Sequence, residues 1–235
     1  MNRQTATPAT PNFFDRTMAQ AYDQRNSALA PISRNLHFLI QLMLEDLPPP
    51  ARALCIGVGT GAEILSLAEA YPEWSFVGVD PSADMLEVCR DRLRAAGVEN
   101  RCELIQGYVE AAPRGNPFDV ALSILVAHFI QREGRPSFYR NICNRLKPGG
   151  HFVTAEISTD LDGPDFPDKL EDWKRIQRRM GATPDSLAGL EKGMRDTLGV
   201  LSPLETETLL QDARFAPAVA FLQAFMVRGW RTRKI

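Results

Sequence analysis

Gly57-Val58-Gly59-Thr60-Gly61 follows a short apolar run, ARALCI, and precedes AEILSLAEAYP, whose apolar residues recur at helical spacing. Glycine alone both turns sharply and keeps Cβ atoms out of a ligand's way. The pattern therefore fits a ligand lying across the carboxyl end of a strand, or, taken by itself, an ordinary glycine-rich turn. Asp80 closes a second apolar run, WSFVGVD, 19 positions after Gly61. A carboxylate there accepts hydrogen bonds from both hydroxyls of an adenosine ribose. Asp80 could instead cap the next helix, but Ser82 is a credible cap for DMLEVCRDRL and leaves it free. Gly57 to Ala62 also spells GxGxxA, so spelling leaves a nicotinamide enzyme open. His128 suits, by type and place, a base toward a hydroxyl or protonated amine; its competing role is a core histidine satisfied by a backbone carbonyl. Trp173, Met180, Met194 and Arg195 occupy a charged, proline-containing stretch and either line an acceptor pocket or pack that stretch onto the sheet. Cys55, Cys89, Cys102 and Cys143 are scattered without CxxC pairs, and no metal site is expected.

These residues need a scaffold that gathers strand ends. Short apolar runs alternate with helical segments from ARALCIGV through WSFVGVD, CELIQ, FDVALSIL and HFVTAEI. Such alternation predicts an α/β fold with a parallel sheet and helices on both faces. The alternation stops after Ser158, and FAPAVAFLQ and AFMVRGWRT then predict a closing antiparallel hairpin. The expected organisation is a tail over 1–12 and one domain over 13–235. Within that domain fall a helical cap (13–50), a cofactor-binding core (51–158), a helical lid (159–202), and a final helix with hairpin (203–235). A nicotinamide enzyme would need a substrate domain after the cofactor half, so this ending favours methyl transfer. The 27 Lys and Arg against 29 Asp and Glu lack the basic excess that phosphate backbones demand, so nucleic acid is disfavoured as a partner. No run of about 18 apolar residues could span a bilayer, and the polar start MNRQTATPATPN has no signal core; the expectation is a cytoplasmic protein.

The blocks ALCIGVGTGAEILSLA, FVGVDPSADMLEVCRDRL, FDVALSILVAHFI and LKPGGHFVTAEI resemble, in order and spacing, the class I S-adenosylmethionine-dependent methyltransferases. The resemblance implies a Rossmann-like, doubly wound seven-stranded sheet of order 3-2-1-4-5-7-6, with strand 7 antiparallel. It implies S-adenosyl-L-methionine as cofactor, S-adenosyl-L-homocysteine as product and a small-molecule acceptor, and leaves a homodimer open. Gly57, Gly59 and Gly61, with Val58 and Thr60 between them, would cradle the amino-acid moiety of the cofactor. Asp80 would hold the ribose, beside Pro81. Met85, Gly107, Tyr108 and Val109 would flank the adenine. Ser123 to His128, Leu125 included, would line the methyl-donor end. Tyr22 and Arg25 lie on the segment that this family folds over the cofactor. Tyr108 stands where an Asp is frequent in the family and Cys55 where it usually carries an acidic residue; Cys55, together with the absence of a clear catalytic residue, keeps a non-catalytic cofactor-binding protein in view. The FFDRTMAQAYDQR entry, the lid and the QDARF ending look similar to the carboxy-S-adenosylmethionine synthase branch of tRNA modification, which would require Lys192 or Arg195 to hold a carboxylate.

Overall fold

The computed structural model describes residues 26–235. Helix α1 (Ala30–Leu44) buries Leu36, Ile40 and Leu44, one residue per turn along a single stripe, and ends before Pro48. There follow β1 (Arg52–Ile56), α2 (Ala62–Ala70), β2 (Ser75–Asp80), α3 (Ala83–Ala95), β3 (Cys102–Gln106), β4 (Phe118–Ile124), α4 (Arg135–Arg145) and β5 (Leu146–Ile157). The stretch expected as a lid contributes α5 (Phe166–Arg179), α6 (Pro184–Ala188) and α7 (Leu190–Asp196). Helix α8 (Pro203–Asp212) leads into β6 (Val219–Ala224) and β7 (Val227–Arg233).

The seven strands lie in the order 3-2-1-4-5-7-6, parallel from β3 to β5, with β7 antiparallel to both β5 and β6. This is the doubly wound Rossmann-like sheet expected. Strand β5 starts earlier than the run HFVTAEI suggested, because Leu146 already pairs with Phe118 before a register shift brings His151 opposite Val120.

Two apolar cores cover the sheet, one on each face. The first joins α1, α2, α3 and the lid residues Phe166, Leu170, Trp173, Ile176 and Met194 to the sheet. The second packs Phe138, Tyr139 and Ile142 of α4 and Leu210 of α8 against Leu54, Val77 and Phe152. Among the described residues no helix is long and apolar enough to cross a membrane. From β1 the chain winds one way to β2 and β3 and the other way to β4 and β5, so connections part above the β1 and β4 ends. That divergence opens a crevice at the carboxyl edge, the place where open α/β sheets bind ligands.

Candidate active site

Three glycines shape the crevice floor. Gly57, Gly59 and Gly61 have φ of +63°, +51° and +84°, a region that L side chains enter at a cost of about 1–2 kcal/mol each. A Cβ on Gly57 would fall 2.4 Å from a Val126 methyl, and one on Gly61 2.6 Å from the Cys89 sulfur. At Gly59 the nearest atom would be a carbonyl oxygen 3.9 Å away. The outer two glycines thus let the turn pack on its own protein, while the middle one faces open space among the described residues.

Asp80 reaches this turn from the end of β2. Its Oδ2 accepts the Gly59 N–H and its Oδ1 the Ser82 N–H, both at 2.9 Å. Ser82 Oγ meanwhile accepts the Met85 N–H at 3.2 Å, capping α3. Burial raises the Asp80 carboxyl above its ordinary value, against the downward pull of those two N–H groups. Each oxygen of an ionised carboxylate keeps a second lone pair, so Asp80 can hold the turn and still accept ribose hydroxyls. Gly57 and Val58 donate to Val79 O at 2.8 and 3.1 Å, seating the turn on β2.

Arg92 of α3, which carried no signal in the sequence, donates to Thr60 O at 3.0 Å and Thr60 Oγ1 at 2.8 Å from behind. Cys55, directly below, is buried and its thiol is pushed well up by desolvation, so it serves as a small apolar filler.

Of the residues expected at the adenine, Pro81 is exposed and Tyr108 is 51% exposed at the close of β3, whereas Met85 is buried at the start of α3 and Val109 is buried in the second core. Just past β4, where the methyl-donor end is expected, Leu125 holds φ +58° and donates its N–H to Ala155 O at 2.6 Å. Left-handed backbone at a branched residue is sparsely populated and concentrates at functional sites. Ser123 is wholly buried, and its hydroxyl has no hydrogen-bond partner among the described residues.

His128 is buried, and its Nδ1 accepts the Ile157 N–H at 3.4 Å. Burial, then the Arg135 charge, pushes its pKa down to about 3. With Nδ1 accepting, the neutral ring carries its proton on Nε2. It is poised to donate a hydrogen bond at neutral pH.

The lid residues separate. Trp173 and Met194 are buried in the first core, Met180 packs against it, and Arg195 lies near the surface over Phe166. Arg195 donates to Asp162 at 2.9 Å, Glu191 at 3.1 Å and Leu161 O at 2.6 Å, and Lys192 pairs with Asp196. Arg195 also lines a polar cleft of about 230 Å³ with Arg132, Thr159, Asp160 and Glu205, just past β5. Tyr22 and Arg25 lie outside the described residues.

The lid root is tied by a buried charge cluster. Arg135 and Glu156, both with fully buried side chains, pair at 2.6 Å. Glu156 also accepts from Tyr139 at 3.3 Å and Thr206 at 3.1 Å, while Arg135 donates to Gly199 O at 2.8 Å. Gly199 N–H in turn bonds His128 O at 2.8 Å, joining this stretch to the loop after β4.

Residues 53–150 match a family described as a methyltransferase domain. The chain is 24% identical over 203 residues to a carboxy-S-adenosyl-L-methionine synthase from Campylobacter fetus, covering 86% of each protein. It is 26% identical over 171 residues to a fatty-acid O-methyltransferase from Mycolicibacterium smegmatis, covering 71% of this chain and 60% of that one. In fold it matches an O-methyltransferase family protein from Burkholderia thailandensis with a TM-score of 0.67 at 12% identity, over 94% of this chain and 60% of the other. Mitomycin 7-O-methyltransferase matches with a TM-score of 0.66 at 19% identity, over 95% and 62%. The chain thus spans about three fifths of the length of these solved proteins.

Proposed function

We propose that this chain, a class I S-adenosylmethionine-dependent methyltransferase, transfers a methyl group to a small-molecule acceptor by positioning rather than by acid–base chemistry of its own. S-adenosyl-L-methionine supplies the activated methyl on its sulfonium. In this reading the open space at Gly59 takes the amino-acid moiety, Asp80 takes the ribose hydroxyls, and Pro81 and Tyr108 flank the adenine. Gly57, Val58, Thr60 and Gly61 shape that cradle from below, with Gly107, Val109 and Met85 backing the adenine side. Leu125 and its neighbours then face the methyl-donor end, with Ser123 supporting them from the core. Holding two reactants in line can supply roughly 7–11 kcal/mol of a barrier, which makes a dedicated base dispensable. His128, neutral and donating through Nε2, orients the acceptor or the strand ends and removes no proton.

The observation that supports this most is the 2.9 Å bond from Gly59 N–H to Asp80, which joins the two halves of an adenosyl grip beneath an unobstructed surface. The synthase relatives favour a second reading, a carboxylated donor held by Lys192 or Arg195. Both cations already carry ion-pair partners, which weighs toward the plain donor. A cytoplasmic enzyme that does not bind nucleic acid, with one domain across the described residues and its lid at 159–202, completes the proposal; the expected tail (1–12) and the start of the expected cap (13–25) lie outside the described residues. To test it, the full chain is incubated with methyl-labelled S-adenosylmethionine and a panel of carboxylate, hydroxyl and amine acceptors. Label on an acceptor with matching S-adenosylhomocysteine is expected; donor turnover with no acceptor labelled would overturn it.

A further inference from the structure

Resting on the methyl-transfer reading, we propose that the acceptor is an amphipathic molecule with a carboxylate or similar anion, its apolar body seated between α1, the lid helix α5 and the β6–β7 turn. These elements enclose a cleft of about 440 Å³, within the roughly 300–1,000 Å³ common for small-molecule sites. Leu29 and Ile32 form one side, Ile176 of α5 the other, and Phe225 of the hairpin turn the end wall. Leu29 and Ile176 belong to the same packed cluster as Val58 and Leu125, so the cleft stands on the core that underlies the donor end. It also opens on the correct edge of the sheet, since Met226, next to Phe225, accepts the N–H of Ser158 at the end of β5.

The rim decides the charge of the occupant. Arg175 is matched by Asp172, but Arg179 has neither an ion pair nor a hydrogen bond among the described residues. One uncompensated guanidinium beside an apolar floor complements an anionic head and repels a cationic one. Phe225 adds an independent sign. It holds φ +55° as the first of two loop residues in a hairpin, a place that glycine or asparagine usually fills, and its ring is 48% exposed. A bulky aromatic kept in left-handed backbone while half in water serves the wall it makes.

The test titrates the full chain by calorimetry with dodecanoate and with dodecyltrimethylammonium, both below their micelle concentrations, and separately with S-adenosylhomocysteine. Saturable dodecanoate binding is expected, with little from the cation. Arg179→Gln should weaken dodecanoate about tenfold, the size of one charge-assisted hydrogen bond. Phe225→Gly should weaken it too while melting no lower than the parent, because glycine relieves the left-handed backbone. Neither change should alter S-adenosylhomocysteine binding. No dodecanoate binding, equal binding of the cation, indifference to Arg179→Gln, or uptake only as vesicles would overturn the proposal. Failure of S-adenosylhomocysteine alone would instead remove the methyl-transfer reading, and the dodecanoate titrations would still decide what the cleft accepts.

Discussion

Substituting Ala at Gly59 and at Gly61 should separate folding from ligand binding, although both positions have positive φ. At Gly61 the backbone costs about 1–2 kcal/mol for any L residue, and its new methyl would sit 2.6 Å from the Cys89 sulfur in a fully buried site. Overpacking of that kind adds about 1–3 kcal/mol, for a total of about 2–5. A chain of this length loses about 2–4 °C in Tm per kcal/mol, so Gly61→Ala should melt about 4–20 °C lower. Adding Cys89→Ala should recover part of that loss, because it removes the atom in the way. At Gly59 the backbone cost is similar, but the nearest atom would be 3.9 Å away, so only about 2–8 °C is lost. The Gly59→Ala methyl nevertheless enters the space assigned to the amino-acid moiety. Its Kd for S-adenosylhomocysteine should rise on the order of 100-fold or more, about 2.7 kcal/mol. Scanning calorimetry and titration of the same preparations read both quantities. Parental affinity in Gly59→Ala, or an equal loss of Tm in the two variants, would refute the division of roles among these glycines.

Asp80→Asn replaces an acceptor oxygen with an NH2 that must face a backbone N–H, so S-adenosylhomocysteine affinity should fall at least about tenfold by titration. Because burial raises the Asp80 pKa above 3.8, affinity in the parent should decline with acid through a midpoint above that value. The same shift makes the stability linked to Asp80 present at low pH and lost as pH rises through the raised pKa. His128, held to about 3 against 6.5 unfolded, contributes stability that is complete above 6.5 and lost as pH falls toward 3. The loss is at most roughly 5 kcal/mol, and urea midpoints from pH 8 to 4 should show that slope flattened in His128→Gln. Methyl transfer should show no ionisation near pH 6.5 that disappears in the same variant. Arg135→Met or Glu156→Gln alone should cost about 3–5 kcal/mol in urea unfolding, and replacing both residues by apolar ones should cost less than the sum.

Local chemistry was readable wherever it was carried by neighbours in the chain. CELIQ is β3 from Cys102 to Gln106, and Ser82 caps α3 as its place ahead of DMLEVCRDRL suggested. The alternation of runs and the closing hairpin predicted a parallel sheet with an antiparallel end, and the resemblance to the methyltransferases implied the strand order that the structure shows. What escaped depends on residues brought together from afar. Arg92 clamps Thr60 across 32 positions, and surface arginines on helices look alike in a sequence. The partners of Glu156 come from α4 and α8, though a lone carboxylate inside HFVTAEI was a sign that some buried cation must meet it. The aromatic and methionine residues of the lid show the opposite ambiguity. An apolar helix stripe has the same period whether it faces a core or a pocket, and only the fold turns Trp173 and Met194 inward.

The joint grip of the glycine turn and Asp80 is tested most directly by a crystal structure of the full chain with S-adenosylhomocysteine. Both ribose hydroxyls should lie within hydrogen-bonding distance of the Asp80 carboxylate, with the amino-acid moiety against Gly59. An adenosine bound elsewhere, or a ribose turned away from Asp80, would contradict it.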